Sequence, residues 1–452
     1  MNGFTTPWTG PTLVTEVEMT DRQSMPVLRR VDTRKQITYE KAYVLVRLRR
    51  QPVGIVEIPF AGSDLEPAAY FDRIAQVLGD EIHAAMPQHP QPDGKPDAAS
   101  TVTVTPASPS ESAPAGVAGQ TEAAPFVSIV IGTRDRPDSL RMTLDGLLKL
   151  DYSAYEIIVV DNAPSDDRTW RLIESELQDD RVRYLREKLP GLSNARNRGI
   201  AEARGEMIAI TDDDVLADRL WLTALVGGLK HGGPDRQVAC VTGLLLPAEL
   251  ETPAQALLES YGGFNRGYQR RVYDLDRNHP GTFLYPYAAG MFGSGANMLF
   301  TREFLCKING FDPALGAGTA ARGGEDLAMF FKVITSGAQL VYEPGAILYH
   351  FHAREYEALR NQIYSYGVGL MAYIMKIIVD EPWRIVAIGL RLPAAVLHVF
   401  SPKSTKNVKK DGMYPAELNH LERIGMLHGP FLFLKSLRQS YRLYRRNKHP
   451  LC

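Results

Sequence analysis

Between residues 126 and 215 the chain keeps one rhythm: an apolar run of strand length ending in polar residues, then a segment with helical spacing. "FVSIVIGTRDR" leads into "PDSLRMTLDGLLKL", "YEIIVVDNAPSDD" into "RTWRLIESELQ", and "VRYLRE" into "LSNARNRGIAEA", before "EMIAITDDD" closes the series. Strands without a polar face need cover on both sides, and intervening helices supply it. The pattern therefore predicts an α/β fold built of βαβ units, with a mostly parallel sheet flanked by helices. Ligands of such sheets bind beyond the carboxyl ends of the strands. Three polar tips should meet there: Thr133 to Arg136, Asp161 with Asn162, and Asp212 to Asp214.

The third tip is the most demanding, because "GEMIAITDDDV" drives a buried strand straight into three carboxylates. Adjacent carboxylates repel unless a cation or proton intervenes, and burial makes the demand stricter. Side chains alternate along a strand tip, so Asp212 and Asp214 can point one way and Asp213 the other. Oxygen ligands at that spacing suit a hard divalent ion, Mg or Mn, with coordination positions left for phosphate oxygens. An imidazole from His350 or His352, in "ILYHFHAREY", tilts the choice towards Mn. A solvated acidic turn is the competing reading, and the buried strand and neighbouring polar tips argue against it. Further along, "GAGTAARGGED" is a glycine-rich loop that opens a helix, with Glu325 and Asp326 in its first turn. Two roles are open to that pair: carboxylates favoured there by the helix dipole, worth ~0.3–1 kcal/mol, or a general base over a substrate hydroxyl.

Six segments, each weak alone, follow in order: "VSIVIGTRDRP", "EIIVVDNAPSDD", "GLSNARNRGI", "IAITDDDV" with "WL" shortly after, "GSGANMLFTRE" and "GFDPALGAGTAARGGEDLAMFFKV". Over about residues 126–355 the chain in this respect resembles the family 2 glycosyltransferases of GT-A fold, a Rossmann-like sheet flanked by helices. The resemblance implies a nucleotide-sugar donor, UDP- or dTDP-linked, seated over the first half of the sheet. It puts Thr133 and Arg136 at the nucleoside end, Asp161 as acceptor from the base ring, and Arg196 near the diphosphate or its ribose. Asp212 and Asp213 would lie on the donor side, and Asp214, Asp212 and one of His350 and His352 would hold the Mn or Mg. Asp326, with Glu325 beside it, would match the catalytic base of inverting members. The third acid, Asp213, departs from the simplest form of the motif. A nucleotidyltransferase is the alternative enzyme, but beyond "TRDR" no Lys-Arg loop follows the first strand to hold a triphosphate. A non-catalytic carbohydrate-binding or scaffold protein is the third reading.

Outside this region the sequence changes character. Residues 1–86 suggest a small accessory α+β domain: a hairpin broken at Gln51 and Pro52, then a helix with Phe71, Ile74, Val77, Leu78 and Ile82 on one face. Residues 87–124, rich in Pro, Ala, Ser and Thr, read as a disordered linker. A catalytic domain over 125–360 and a helical, basic region over 361–452 complete the division. The whole chain of 452 residues carries 51 Lys plus Arg against 52 Asp plus Glu, which predicts no nucleic-acid partner. From Arg384 onward, however, 13 basic residues face only 3 acidic ones. "LHGPFLFLKSLRQSYRLYRRNKH" has the apolar and basic faces of a helix lying in an anionic membrane surface. With the apolar stretches 366–379 and 385–400, each short of the ~20 residues that span a bilayer, it predicts a peripheral membrane protein acting on a lipid-linked or other glycan acceptor. Packing of these helices on the catalytic domain or a second subunit is the plainer reading. Cys240, Cys306 and Cys452 have no framework spacing and read as buried or incidental thiols in a reducing compartment. The N-terminus lacks a signal-peptide pattern, so the expected location is cytoplasmic, at the inner face of the cell membrane.

Overall fold

The computed structural model describes residues 8–19, 27–30, 37–62, 67–85, 124–233, 236–404, 406–408, 410 and 414–444. The N-terminal unit has four strands, β1 (Thr12–Met19), β2 (Val27–Arg30), β3 (Tyr39–Leu48) and β4 (Gln51–Gly62), in the order β2-β1-β3-β4, covered by α1 (Pro67–Ala85). The expected hairpin is β3–β4, but its turn falls at Arg49 and Arg50, with φ of 51° and 67°, rather than at Gln51 and Pro52. Two-residue turns with both residues at positive φ match the twist of paired strands, which leaves Pro52 free to stand in β4 opposite Arg47. On α1, Ile74, Leu78 and Ile82 are buried against the sheet, whereas Val77 faces solvent. Strand β1, which the sequence pattern does not signal, lies parallel to β3 in the middle of the sheet.

This unit docks on the rest of the molecule. Val14, Tyr43, Leu45 and Ile55 form one apolar cluster with Leu244, Leu246, Ile347 and Tyr349. At its margin the buried Arg47 bonds Asp218 at 2.6 Å and Glu16 at 3.2 Å, and Tyr349 donates to Glu16 at 2.9 Å. The first unit thus packs against the second sheet. The expected linker lies outside the described residues except for Ala124.

The second sheet contains β5 (Val127–Thr133), β6 (Tyr155–Asn162), β7 (Val182–Glu187), β8 (Met207–Thr211), β9 (Val215–Ala217), β10 (Val238–Pro247), β11 (Arg271–Tyr273), β12 (Met298–Thr301) and β13 (Gln339–His350). Its order is β11-β13-β10-β12-β8-β5-β6-β7, with β9 paired to β13. The run β8-β5-β6-β7 is parallel, as the βαβ rhythm requires. Beyond β8 the sheet is mixed, since β12 is antiparallel to both neighbours. Helices α2 (Pro137–Leu147), α3 (Arg168–Arg171), α4 (Leu192–Glu202), α5 (Trp221–Gly228), α6 (Pro253–Tyr261), α7 (Arg302–Ile308) and α8 (Glu325–Thr335) connect the strands. Two apolar layers result: α2 and α5 close one face of the sheet, and α4, α7 and α8 the other.

Three further helices, α9 (Tyr356–Asp380), α10 (Arg384–Phe400) and α11 (Ala416–Tyr444), end the chain. The boundary expected at residue 360 falls inside α9. By length and composition alone α9 could cross a membrane, yet Leu359, Ile363, Val368, Ala372, Tyr373 and Ile377 are buried. Glycines explain how closely it packs. Gly324, at φ 85°, has no room for a Cβ, which would stand 2.4 Å from the Gly369 carbonyl oxygen, and a Cβ on Gly367 would meet the Glu422 carbonyl at 2.1 Å. The stretch 366–379 is therefore core between α8 and α11, a correction to its grouping with a membrane-facing surface. By contrast, α10 buries no residue. Cys240 is a buried free thiol, in line with the reading of buried or incidental thiols, whereas Cys306 is disulfide-bonded, contrary to it.

Candidate active site

Strand register assembles the polar tips. Thr133 ends β5 directly opposite Asp161 in β6. The short β9 pairs Val215 with His350, and the Phe351 N–H donates to the Asp214 carbonyl at 3.0 Å, so the end of β13 is laced to the acidic segment. Asp212, Asp214 and His350 consequently offer ligand atoms all within 4.8 Å of one another. Nearby, the buried Trp221 donates to Asn297 at 2.9 Å, and Asn297 in turn donates to the Leu244 and Ala346 carbonyls. That network fixes the "GSGAN" segment beside the site.

The three aspartates divide as alternation predicts. Asp213 turns inward, accepting from the Thr133 hydroxyl at 2.6 Å and from Arg136 at 2.7 Å, and burial pushes its pKa up to about 7. Asp213, expected on the donor side, is tied by these bonds to the β5 loop. Arg136 also donates to Asp214 at 2.9 Å. Burial alone would raise the Asp214 pKa, but His350 and Arg136 outweigh it and hold the carboxylate far below its usual range. One atom remains without a donor: Oδ1 of Asp214, buried and 3.2 Å from Nε2 of His350. A carboxylate oxygen left over beside an imidazole nitrogen and a second carboxylate is a donor set that fits Mn or Mg.

His352, the other candidate ligand, is corrected. It is buried behind His350, with Nδ1 3.1 Å from Nδ1 of His350 and Nε2 2.9 Å from Oε1 of Glu259, and so faces away from Asp212 and Asp214. Arg196, expected near the diphosphate or its ribose, is buried and tied to three acceptors. Only 1% exposed, it donates to Asp212 at 3.1 Å, to the Gly295 carbonyl at 3.1 Å and to Glu325 at 3.0 Å. It is a buried strut between two acidic groups.

The same strut separates the two acids of α8. Glu325 is committed to Arg196, and burial, then Asp326, push its pKa up to about 7. Asp326 has no cationic side-chain partner among the described residues. It accepts from the backbone N–H groups of Leu327 at 2.8 Å and Gly295 at 3.1 Å, and burial raises its pKa. At the far end of the row, the fully buried Asp161 accepts from the Tyr184 hydroxyl at 3.0 Å through Oδ2, while Oδ1 has no partner. Burial pushes its pKa up to about 6. Tyr184 and Glu259 carry no sequence signal of their own: Tyr184 acts on Asp161 and Glu259 on His352 from another element, and only spatial proximity shows it.

Comparison with known proteins supplies the context. Residues 128–305 match the family described as Glycosyl transferase family 2. An uncharacterized protein of Sinorhizobium fredii, y4gI, is 29% identical over 235 residues, which are 51% of this chain and 25% of that protein. The pre-mycofactocin glycosyltransferase of Mycobacterium tuberculosis is 26% identical over 231 residues, 50% of this chain and 43% of its own. A UDP-Glc:alpha-D-GlcNAc-diphosphoundecaprenol beta-1,3-glucosyltransferase of Escherichia coli, WfaP, is 30% identical over 107 residues, 24% of this chain and 40% of its own. The chain spans less than half the length of each of these relatives.

Proposed function

We propose that the chain, whose residues 128–305 match the glycosyl transferase family 2 model, is a glycosyltransferase that moves a sugar from a nucleotide-sugar donor to a hydroxyl with inversion at the anomeric carbon. The observation that carries this reading is the Arg196 strut. It ties Asp212, one of three clustered ligand groups, to Glu325, the neighbour of Asp326. A cation site and a candidate base are thereby held at one edge of the sheet.

Roles follow from the free valences. The unpartnered Oδ1 of Asp161 accepts an N–H from the base ring of a UDP- or dTDP-linked donor, while Tyr184 fixes the other oxygen. Asp212, Asp214 and His350 would hold the Mn or Mg, which when bound neutralises negative charge growing on the departing diphosphate. Asp326 takes the proton of the acceptor hydroxyl as its oxygen bonds to the anomeric carbon from the side opposite the leaving group. Because the leaving group needs no proton, one base is sufficient. A nucleotidyltransferase is disfavoured by the β5 loop, where Arg134 pairs with Asp135 and Arg136 with Asp213 and Asp214, so neither is spare for a triphosphate.

The acceptor on this reading is a glycan or lipid-linked sugar of cell-envelope or surface polysaccharide synthesis, met by a cytoplasmic enzyme at the inner face of the membrane. Two observations support it. The E. coli relative is named for a diphosphoundecaprenol-linked acceptor. On the chain itself, α10 leaves Val386, Leu390 and Leu397 66–68% exposed, and on α11 the exposed Phe431 lies close in sequence to Lys435, Arg438 and Arg442, none with an acidic partner among the described residues. Apolar side chains with unpaired cations beside them suit an anionic bilayer surface.

Thermal unfolding with a panel of nucleoside diphosphates and nucleotide sugars, with and without Mn, tests the donor site. One nucleotide should raise the transition of the wild type only with metal, and Asp214→Ala should lose the effect. A folded wild type that responds to no nucleotide overturns the donor assignment.

A further inference from the structure

The segment that leaves α6, "GGFNRGY" at 262–268, runs from the candidate cation cluster to the candidate base. Asn265 fixes its shape: Nδ2 donates to the Tyr268 hydroxyl at 2.6 Å, and Oδ1 accepts from the Gly267 N–H at 2.7 Å. Phe264 lies against the His350 ring, centroids 5.9 Å apart, and meets Tyr366 of α9 edge to face at 6.4 Å. Two residues on, Nε of Arg266 donates to the Gly290 carbonyl at 2.7 Å. Gly290 in turn lies against Leu327, the residue after Asp326, since a Cβ on it would stand 3.9 Å from Leu327 Cδ2. The segment is therefore a wall shared by the two halves of the site.

Arg266 carries a charge on that wall which the transfer chemistry does not use. It bonds only to backbone carbonyls, Gly290 through Nε and Gly263 and Asn265 through Nη1 at 3.2 and 3.4 Å, and Nη2 bonds to no described residue. Burial pulls its pKa down, yet a guanidinium keeps its proton. Glu259 and Asp326 are among the groups whose charge reaches it, and neither bonds to it. Glu259 is held by His352, and Asp326 by the N–H groups of Leu327 and Gly295. Carbonyls satisfy N–H groups without neutralising the charge, and a cation taken out of water calls for an anion. The Tyr366 hydroxyl marks where that anion would lie, because Asp326, Asp214 and Arg266 all act on it. Tyr366 thus stands among the base, the cation cluster and the guanidinium.

The chemistry of the missing anion follows from its surroundings. A single fixed positive charge balances a carboxylate, whereas a diphosphate would bring further negative charge towards Asp326 and Glu325. The half-buried rings of Phe264 and Tyr366 offer an apolar surface to the face of a pyranose. Proximity to Asp326, which takes the proton of the acceptor hydroxyl, places that pyranose on the acceptor side. We propose that Arg266 recognises a carboxylate on the acceptor sugar, so that the enzyme extends a glycan ending in a uronic acid or another acidic sugar. The inference rests on the reading of Asp326 as the base, and it names the acceptor class for that site. The carboxylate takes no part in the bond changes of the transfer.

Saturation-transfer NMR titrations of the full-length protein test it, with and without Mn2+ and UDP. Methyl β-glucuronide and methyl β-galacturonide are each compared with the neutral carboxamide of the same sugar. The wild type should bind one uronide ~10–100-fold more tightly than its carboxamide, the usual range for a hydrogen bond to a charged group. Arg266→Gln can still donate to the carbonyls but carries no charge, and it should bind the two alike. Arg266→Lys keeps the charge without the fork and should retain part of the preference. A cooperative thermal transition shows that each variant is folded, and the wild-type comparison decides the matter without them. No preference for either uronide in the wild type, or a preference that survives in Arg266→Gln, overturns the proposal. An Arg266-dependent preference for UDP-glucuronate over UDP-glucose, absent with the free uronides, moves the carboxylate to the donor and overturns the acceptor assignment. A wild type that binds no nucleotide refutes the glycosyltransferase reading alone, because the uronide comparison needs no donor.

Discussion

Replacing Arg196 by Met keeps the apolar stem and removes the charge that joins Asp212 to Glu325. Removing one partner of a buried ion pair typically costs 3–5 kcal/mol, because the other charge stays behind without compensation. Here two carboxylates are left, so a loss of about that size is expected when both are ionised. The loss should also depend on pH in a defined direction. Burial first, and Asp326 second, lift the folded-state pKa of Glu325 to about 7. A carboxyl whose folded pKa is raised contributes stability that is present at low pH and disappears as pH rises through that pKa. Without the guanidinium the pKa rises further, so the decline extends to higher pH in the variant. Each unit of that extra rise adds about 1.4 kcal/mol to the difference at alkaline pH and nothing where Glu325 is protonated in both proteins. Urea unfolding followed by tryptophan fluorescence at about pH 5 and about pH 9, on either side of the Glu325 value, checks both magnitude and trend. A loss below about 1 kcal/mol, or one equal at the two pH values, would refute the strut.

Other expectations are simpler. Asp326→Asn should lower the transfer rate ~10²–10⁴-fold, the usual contribution of a general base, while the metal-dependent nucleotide shift in thermal unfolding persists. Asp161 accepts from a base ring more strongly when ionised, and burial raises its pKa to about 6; nucleotide affinity measured by calorimetry should therefore fall below that pH. Tyr184→Phe removes a donor that holds the Asp161 pKa down, so the midpoint of that fall should move upward. Leu390→Asp combined with Leu397→Asp changes two side chains in α10 that touch no buried core. Flotation with vesicles containing anionic lipid should drop sharply for that variant while its thermal transition stays in place.

Most of the first half-sheet is legible in the sequence because its physics is local. Unbroken apolar runs with helices between them leave few alternatives to β8-β5-β6-β7, and alternation along a strand tip is enough to part Asp213 from Asp212 and Asp214. The positive charge that three carboxylates demand is supplied by Arg136 and Arg196. Sequence spacing says nothing of how a buried Arg196 divides Glu325 from Asp326, since those bonds join α4 to α8 across 129 positions of chain. His350 and His352 cannot be told apart by spacing for the same reason: the pairing of β13 with β9 decides which ring reaches Asp214, and Glu259 claims the other. Strand β1 escapes a pattern reading because it stands beside β3 without a neighbouring turn signal. The stretch 366–379 misleads because an apolar helix reads alike whether glycines seat it in a core or its side chains meet lipid.

The most direct test of the account is release of nucleoside diphosphate from a panel of nucleotide sugars, with Mn2+ and polyprenyl-diphosphate-linked sugars as acceptors, for wild type and Asp326→Asn. The account predicts metal-dependent release from one donor in the wild type and its near-complete loss in the variant. Release that is undiminished in Asp326→Asn, or absent for every donor in a folded wild type, would contradict it.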